Sequence, residues 1–491
     1  MSRQTRRTFL KRATLGGIAT TFAISGTQAS GRILGANDRI AIAVAGIHGR
    51  GMAHINAFAG MKDAAVTYLI DPDSRLFAGR SEAVKKKGGN TPKCVQDVRK
   101  ALEDPNLDAI SIATCNHWHA LMTFWACQAG KDVYVEKPCS HNVFEGRQCV
   151  EAARKYKRIV QHGTQSRGEP QWRKMVAAVA SGKYGKLLVS KGWASKGGQG
   201  RWTCGFKPVT TPPEGFDFNL WLGPAPEQPY HENIVHYNWH WFWDFGNGEI
   251  GNQGVHQMDI MRWGIPGATL PKSVISMGGR WTIDQGNKDQ AQTPNMQVAV
   301  YDFGGTLGVF EVASLCGTSP ITKKKVAGKV DNEFYLEAGR IAKGKFYPKG
   351  SSEGQDLAEV EIPERPGKDV FENFILCMRS RKHEDLYADI LEAHYSAALC
   401  HLGNISYRVG EQVPGSTPPK GFPENQQVKE SLDWIRSTLK DFLDIDMNTI
   451  TYQLGPKLEF DAQTEKFIGN DAANKLLTRD YRKPFVVTQE V

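Results

Sequence analysis

The stretch Arg39-Ile-Ala-Ile-Ala-Val-Ala-Gly-Ile-His-Gly-Arg-Gly51 decides the fold. A β-type apolar run, 39–45, leads directly into a glycine turn, and apolar residues at helical spacing follow at Met52, Ile55 and Phe58. Strand, glycine turn and helix is the order that a dinucleotide-binding unit requires. The spacing is G-x-x-G-x-G and not the usual G-x-G-x-x-G, so a tight turn without a ligand is the alternative interpretation.

Polar loops follow the next strand-like runs. The run 65–70 ends at Asp71, 20 residues after Gly51, where a dinucleotide-binding domain holds a ribose hydroxyl; this acid favours NAD and leaves NADP open. Because the carboxyl ends of parallel strands meet at one edge of a sheet, the loops after 107–114 and 132–138 should line the same crevice. The predicted cofactor contacts are Gly46, His48, Gly49, Arg50, Gly51, Asp71, Thr114, Asn116, His119, Glu136 and Lys137.

The composition is that of a globular protein with more than one domain. The chain has 491 residues, of which 40% are hydrophobic, 10% aromatic and 23% charged. Five of the nine net positive charges lie in the first 12 residues, and the rest of the chain has no dense stripe of Lys and Arg between stacking aromatics. These features exclude nucleic acid as the expected partner.

Cysteine and histidine patterns argue against a metal site. The nine cysteines include no C-x-x-C pair, and an odd number cannot all pair with one another. His231, His236, His240 and His256 show no metal-ligand spacing with a convincing third ligand. We therefore predict no metal.

The first 29 residues are predicted to be a twin-arginine signal peptide. Arg6 and Arg7 precede a weakly apolar stretch, 13–24, and Thr27 and Ala29 are small residues typical of a cleavage site. The apolar stretch is too short to span a bilayer. We expect a periplasmic protein that the twin-arginine export machinery carries in the folded state, with its cofactor already bound.

Two segments carry a family resemblance. Ala-Thr-Cys-Asn-His-Trp-His-Ala at 113–120 and Ala-Gly-Lys-Asp-Val-Tyr-Val-Glu-Lys-Pro at 129–138 resemble the hallmark of the Gfo/Idh/MocA oxidoreductases. The similarity continues through Trp-Leu-Gly-Pro at 221–224, the segment 248–256 and a late helix at 388–408, and covers nearly the whole exported chain. The resemblance implies a homo-oligomer, a dimer or tetramer, in which one sheet face is the contact surface.

The resemblance also implies the fold class and the domains. We expect an α/β protein with an N-terminal Rossmann dinucleotide-binding domain, followed by an α+β domain with a large, mostly antiparallel open sheet. The predicted parts are the signal peptide 1–29, the Rossmann NAD(P)-binding domain 37–165, the substrate and oligomerisation domain 166–420, and a C-terminal extension, 421–491, that packs on the body.

Lys137 and His256 are the predicted catalytic residues. Hydride transfer from a carbinol needs a group that takes the hydroxyl proton and a donor that polarises the oxygen. In the resembled family a carboxylate four residues before the histidine orients the imidazole, but this chain has Asn252 there. An amide cannot hold a charge, so Asp259, Glu249 and Asp244 are the candidates for the missing acid.

Substrate contacts are predicted from polar and aromatic residues near these two groups. Aromatic faces with polar tips stack on sugar rings, and the segment 237–245 is rich in both. The predicted substrate contacts are Asn252, Asp259, Tyr237, His240 and Gln165.

The predicted function is an exported NAD(P)-dependent oxidoreductase that transfers a hydride between a tightly bound nicotinamide cofactor and a sugar, polyol or sugar derivative. One alternative is a glycosidase-like enzyme that oxidises its substrate transiently to a 3-keto sugar, with Tyr237, His236 or His240 as the base. A second is a noncatalytic sugar-binding protein on the same fold, which Asn252 and the altered glycine turn favour.

Overall fold

The computed structural model describes residues 38–198, 200–282, 288–319 and 321–491. The predicted twin-arginine signal, 1–29, lies outside the described residues. Within the described ranges, no helix combines the length and apolar character needed to cross a bilayer.

Six short strands, most of them buried apolar runs, build the first sheet: β1 (Ile40–Ala45), β2 (Ala64–Ile70), β3 (Lys93–Val95), β4 (Ala109–Ile112), β5 (Asp132–Val135) and β6 (Val160–His162). All neighbouring strands are parallel, and their order is β3-β2-β1-β4-β5-β6. The helices between them are α1 (Arg50–Ala59), α2 (Phe77–Gly88), α3 (Val98–Leu102), α4 (Asn116–Gln128) and α5 (Val143–Lys155). The strand order reverses between β1 and β4, so the loops that follow these strands diverge and leave a crevice. This is the predicted Rossmann domain.

The second sheet is mixed but mostly antiparallel, as predicted. The strands after β6 are β7 (Leu187–Ala194), β8 (Ser273–Gly279), β9 (Met296–Asp302), β10 (Leu307–Ala313), β11 (Gly317–Thr318), β12 (Lys325–Val326), β13 (Val330–Leu336), β14 (Gly339–Ala342), β15 (Lys345–Pro348), β16 (Gln355–Asp356), β17 (Glu411–Pro414), β18 (Thr451–Leu454), β19 (Leu458–Asp461) and β20 (Lys466–Phe467). The main path runs β16-β15-β14-β13-β7-β10-β9-β8-β18-β17, and β19 pairs with β8 and β20. Within this sheet only the pairing of β7 with β10 is parallel among the described strands.

Two late helices join the halves of the molecule. The helices of the second half are α6 (Pro170–Ala180), α7 (Phe218–Leu222), α8 (Gly248–Gly251), α9 (Gly254–Trp263), α10 (Val370–Ser380), α11 (Ile390–Arg408), α12 (Gln426–Ser437) and α13 (Asp471–Lys475). Helix α10 packs into the core of the first sheet, where Phe374 and Met378 lie with Ile40 and Val44. Helix α11 contributes to the cores of both sheets. The core of the Rossmann domain therefore extends beyond the predicted range 37–165.

The C-terminal extension packs on the second sheet and adds strands to it. Val428 and Ile435 of α12, with Leu439 and Phe442 of the π-helical turn that follows it, form one buried apolar cluster with β7, β8, β9 and β10. The ammonium of Lys191 donates to the carbonyl of Gln427 over 3.0 Å. The sheet face that the resemblance assigns to oligomerisation is therefore covered along these strands by the chain's own helix.

A buried acid under α12 should make stability depend on pH. Burial raises the pKa of Glu311 to about 7, although Lys191 opposes the shift. Since this folded-state value lies above the ordinary one, ionisation of Glu311 costs folding free energy as the pH rises from about 4.5 to 7. We expect Glu311→Gln to raise the urea unfolding midpoint relative to the parent at pH 8. At pH 4.5 the midpoint of the variant should not exceed that of the parent. An equal effect at both pH values would contradict this origin.

Candidate active site

A cavity of about 860 Å³ lies between the carboxyl ends of the first sheet and residues 200–256. Most of the residues predicted from the sequence line it: Gly46, His48, Gly49, Arg50, Asp71, Thr114, Asn116, His119, Glu136, Lys137, Gln165, Tyr237, His240, Asn252 and His256. Gly51 and Asp259 do not line it. The cavity therefore brings most of the predicted cofactor and substrate residues into one space.

In the described ranges, no group of three or more His, Cys, Asp and Glu side chains has the arrangement of a metal site.

The glycine turn has the shape that a pyrophosphate needs. Gly46 has a φ of +78°, and a Cβ there would lie 2.6 Å from the backbone of Ala113. A Cβ on Gly51 would lie 1.9 Å from the carbonyl oxygen of Gly46, so Gly51 supports the turn from behind. A Cβ on Gly49 would meet no atom within 4 Å, and no described side chain caps the N-terminus of α1. Backbone N–H groups at this helix start are thus available to an anion.

Asp71 directly follows β2 and lines the cavity. Its Oδ2 accepts from the N–H of Ile47 over 2.9 Å, and its Oδ1 accepts from the N–H of Asp73 over 2.9 Å. Burial raises the pKa of Asp71 to about 6, and the two backbone hydrogen bonds oppose the shift. Each carboxylate oxygen keeps a second lone pair, so the group fits a ribose hydroxyl. The turn and this acid together fit NAD.

Glu136 anchors a set of polar side chains at the centre of the cavity. Arg50 Nε donates to its Oε1 over 2.7 Å, His54 Nε2 lies 3.1 Å from the same atom, and Gln165 Nε2 lies 3.4 Å away. Burial disfavours the charge, but the hydrogen bond from His54 and the charge of Arg50 hold the pKa of Glu136 well below its usual range. His54 is not predicted from the sequence, because its position on α1 matches the apolar spacing of a core residue.

Lys137 and His256, the predicted catalytic residues, line the same cavity. The Lys137–Pro138 peptide is cis, and the ammonium donates to the backbone carbonyl of Asn252 over 2.9 Å. Burial lowers the pKa of Lys137, and the charges of Glu136 and Glu249 oppose the shift. Burial and the positive charge of Lys137 lower the pKa of His256 to about 3. Its imidazole is therefore neutral at physiological pH.

The acid that accompanies Asn252 is Glu249. The amide Nδ2 of Asn252 donates to Glu249 Oε2 over 3.1 Å. Of the other two candidates, Asp244 Oδ2 accepts from Gln228 over 3.2 Å and does not line the cavity. Glu249 is 1% exposed and stands behind the cavity wall. The sequence alone leaves three acids as candidates, because it does not show which carboxylate lies beside Asn252.

Asp259, a predicted substrate contact, does not line the cavity. Its carboxylate accepts from Arg167 Nε over 2.8 Å and from Ser396 Oγ over 2.6 Å. Asp259 is 1% exposed, and the pairing with Arg167 holds its pKa below the ordinary value against the effect of burial. It belongs to the packing between α9 and α11.

Two of the predicted substrate contacts, Tyr237 and His240, form an aromatic wall with Trp239. The His240 ring stacks on Trp239 with ring centroids 3.6 Å apart, and its Nδ1 lies 2.5 Å from the carbonyl oxygen of Tyr237. Burial lowers the pKa of His240 to about 3. His119 is tied to the carbonyls of Pro138 and Thr114 at 2.6 and 3.0 Å, so it braces the loops that hold Lys137.

Residues 203–245, here called the bridging segment, connect the two sides of the cavity. The N–H of Asp217 donates to the carbonyl of Pro72 over 2.9 Å, in the loop after β2. Trp118 Nε1, on α4, donates to the carbonyl of Leu220 over 3.1 Å. The segment therefore spans the crevice from one Rossmann loop to another, which the sequence did not predict.

A histidine pair extends this bridge. His236 of the bridging segment stacks on His48 of the glycine turn, with ring centroids 4.3 Å apart and planes 2° from parallel. Its Nε2 lies 3.2 Å from Asp73 Oδ2. Burial lowers the pKa of His236 to about 4, so the stacked rings are neutral near pH 7.

Known proteins resemble this chain in sequence over part of its length. The aligned region is 29% identical over 156 residues to scyllo-inositol 2-dehydrogenase (NAD(+)) of Bacillus subtilis, covering 32% of this chain and 44% of that protein. It is 30% identical over 129 residues to myo-inositol 2-dehydrogenase of Thermotoga maritima, covering 26% and 37%. A glycosyl hydrolase family 109 protein of Shewanella is 26% identical over 171 residues, covering 31% and 38%. The alignments thus span less than half of these relatives.

A solved structure and two family models extend the comparison. The WlbA dehydrogenase of Bordetella pertussis, solved with NADH and UDP-GlcNAcA, superposes with a TM-score of 0.52 at 18% identity, over 76% of this chain and 97% of that one. At this identity the likeness shows the fold. Residues 40–164 match the oxidoreductase-family model of the NAD-binding Rossmann fold, and residues 176–275 match the model of its C-terminal α/β domain. The two models describe consecutive domains of Gfo/Idh/MocA oxidoreductases, and together they match a little under half of this chain, in the same order.

Proposed function

We propose that this protein is an NAD-dependent oxidoreductase that acts on a hydroxyl group of a sugar, polyol or sugar derivative. The observation that carries the proposal is that one cavity is lined both by the residues that fit a dinucleotide, the glycine turn and Asp71, and by the predicted catalytic residues Lys137 and His256. When bound, NAD supplies the hydride acceptor. The relatives named as inositol dehydrogenases support a polyol or sugar as the substrate class.

The residues that line the cavity have different roles in such a reaction. Lys137 exchanges a proton with the reacting hydroxyl and stabilises negative charge on its oxygen. Neutral His256 offers a hydrogen bond to the same part of the substrate. Tyr237, Gln165 and Asn252 line the space beside them and provide further partners for hydroxyl groups.

We further propose that the cofactor is tightly held and that the protein is exported. The bridging segment crosses the crevice, so a dinucleotide that leaves would have to displace its contacts with Pro72 and Trp118. Retention agrees with the twin-arginine signal expected at 1–29, because the periplasm holds little free nucleotide. Assembly into a dimer or tetramer stays a prediction.

A retained cofactor also favours the second candidate function. If the nucleotide cannot exchange, a hydride taken from a substrate must return to that molecule or to another in the same cavity. A glycosidase-like reaction through a transient 3-keto sugar meets this condition, and the similarity to a family 109 protein supports it. Tyr237 lies at the cavity wall under the guanidinium of Arg201, 5.9 Å from its ring centre, and is our candidate for the base.

The test is to purify the protein from its export compartment without added nucleotide, denature it and quantify released nucleotide by mass spectrometry. We expect close to one NAD per chain. The holoprotein is then mixed with inositols, hexoses and aryl glycosides, and the bound nucleotide is followed by its absorbance while products are analysed. Reduction that persists indicates net oxidation, whereas free aglycone without net reduction indicates the glycosidase-like route. A protein that neither contains nor binds nucleotide contradicts both and leaves the noncatalytic sugar-binding protein.

Asp71 provides a prediction for cofactor affinity. Because burial raises the pKa of Asp71 to about 6, its carboxylate becomes protonated below that pH and accepts a ribose hydroxyl less well. In protein reconstituted from the unfolded state, NAD affinity should fall several-fold between pH 7 and pH 5, as measured by calorimetry. Asp71→Asn should bind NAD more weakly at pH 7 and lose this pH dependence. A parent protein whose affinity is the same at both pH values contradicts the assignment.

A further inference from the structure

We infer that Glu249 is a positioning residue for Lys137: through the amide of Asn252 it directs negative charge at the ammonium, and Lys137 instead of His256 exchanges the substrate proton. The second half of this inference rests on the proposed function. The first half concerns only the protein and can be tested without a substrate.

The orientation of the Asn252 amide carries the inference. Its Nδ2 donates to Glu249 Oε2 over 3.1 Å, and a carboxylate can only accept, so the amide is held with its oxygen on the other side. That oxygen, Oδ1, lies 3.5 Å from Lys137 Nζ, while the backbone oxygen of the same residue lies 2.9 Å from it. Two oxygens of Asn252 therefore face the ammonium, and the contact with Glu249 fixes the orientation of the side-chain one.

Glu249 is itself fixed in place. Arg201 Nε lies 3.1 Å from its Oε2, and Arg201 is only 3% exposed. The Arg201 guanidinium also lies over the rings of Tyr237 and Trp241. Within the described residues, Glu249 Oε1 has no hydrogen-bond partner. Arg201 and the amide of Asn252 thus both contact Oε2 of this carboxylate, and Arg201 does not form a bidentate ion pair with it.

Of the charged and titratable groups that face Lys137, two are acids, and the charges of both oppose the lowering of its pKa by burial, Glu136 more strongly than Glu249. The groups that face Lys137 are Glu136, Glu249, Arg50, Cys400, His119, His240 and His256. Glu136 already accepts from Arg50 and pairs with His54. The three histidines are neutral, since burial of their rings lowers the pKa of each.

His256 has no comparable support. Among the residues that the structure describes, its ring makes no hydrogen bond to a protein group, and the position one turn earlier holds an amide that faces Lys137. A neutral imidazole without an acid behind it is a poor proton acceptor at neutral pH. In the oxidation direction, the uncharged amine of Lys137 takes the proton of the substrate hydroxyl, and NAD, when bound, would accept the hydride from the carbon that bears this hydroxyl. A carbonyl forms, and Lys137 later releases the proton to water.

The first experiment measures the protonation of Lys137 directly. The holoprotein as isolated is reductively methylated with formaldehyde and cyanoborohydride across a pH series, and the peptide that carries Lys137 is quantified by mass spectrometry. We expect Glu249→Gln, which keeps the hydrogen bond to Asn252 but removes the charge, to increase the unprotonated fraction of Lys137 about tenfold at a given pH. Glu249→Gln/Asn252→Asp places the carboxylate beside the ammonium and should reverse that change.

Controls separate this effect from a general loss of structure. Glu311→Gln removes another buried acid, under α12, and should leave the labelling of Lys137 unchanged. If Glu249→Gln does not fold, Asn252→Asp alone tests the same point and should shift the labelling toward higher pH. Unchanged labelling in the folded variants, or a shift in the opposite direction, overturns the role of Glu249.

The second experiment uses a substrate found in the screen above. The rising limb of the pH–rate profile should move to lower pH in Glu249→Gln by the same factor as the labelling. In His256→Gln the rate should fall while the limb stays in place. A limb that disappears in His256→Gln and does not move in Glu249→Gln overturns the assignment of the proton to Lys137. If the proposed function is wrong, no substrate is found, but the expected change in Lys137 labelling is still observed. The two failures can therefore be told apart.

Discussion

Turnover of the active sugar or polyol is expected to fall by about 10²–10⁴-fold in Lys137→Met, the range for loss of a general acid–base group. Methionine keeps the length and apolar stem of the side chain, so the cavity keeps its shape while the proton carrier is lost. The cofactor content of the purified variant should equal that of the parent, because the glycine turn and Asp71 are unchanged. The measurement is the rate at which bound nucleotide is reduced after mixing with substrate.

Lys191→Met is the matched control for this substitution. Lys191 is also a buried lysine whose ammonium donates to a backbone carbonyl, that of Gln427, but it lies under α12 and away from the cavity. Its loss should leave turnover within about twofold of the parent. If Lys137→Met retained a tenth or more of the parent rate, the proposed role of Lys137 would be wrong.

The second large effect concerns stability. Asp259→Leu removes the closer and fully buried carboxylate partner of the Arg167 guanidinium and leaves it only Glu392, which is partly exposed. Removal of one member of a buried ion pair typically costs about 3–5 kcal/mol. Urea unfolding followed by fluorescence should show the corresponding decrease in the apparent free energy of unfolding. KM for the substrate, measured well below the transition, should be close to that of the parent.

The double variant Arg167→Met/Asp259→Leu tests whether the pair is the cause. It removes both charges, so most of the lost stability should return. A different outcome, in which Asp259→Leu unfolds like the parent but binds substrate many-fold more weakly, would restore Asp259 as a substrate contact.

The parallel sheet and most of the cavity residues could be predicted because local patterns determine them. Strand-like runs that end in polar loops define β1, β2, β4 and β5, and the geometry of a parallel sheet brings those loops together. The family models agree with that interpretation over 40–164 and 176–275. The ends of their strands therefore place Asp71 and Lys137 at this edge of the sheet, whereas the catalytic role of Lys137 is implied mostly by the family resemblance.

Helix faces and long-range contacts set the limit of prediction. His256 and Asp259 lie three residues apart on α9, which rotates their side chains only about 60° from each other. His256 nevertheless lines the cavity, whereas Asp259 lies in the core. The contact with Arg167, which is distant in sequence, shows this for Asp259. The role of Glu249 and the path of the bridging segment likewise depend on partners more than 40 residues away, such as Arg201 and Pro72.

The placement of α10 has a consequence for the order in which the chain can fold during synthesis. Phe374 and Met378 complete a core whose other members begin at Ile40. More than 300 residues must therefore leave the ribosome before the nucleotide-binding half can bury this apolar surface. Until then the half-formed domain exposes an aggregation-prone face, and NAD meets a crevice whose supporting core is incomplete. Stable cofactor binding is accordingly expected only after α10 has left the ribosome.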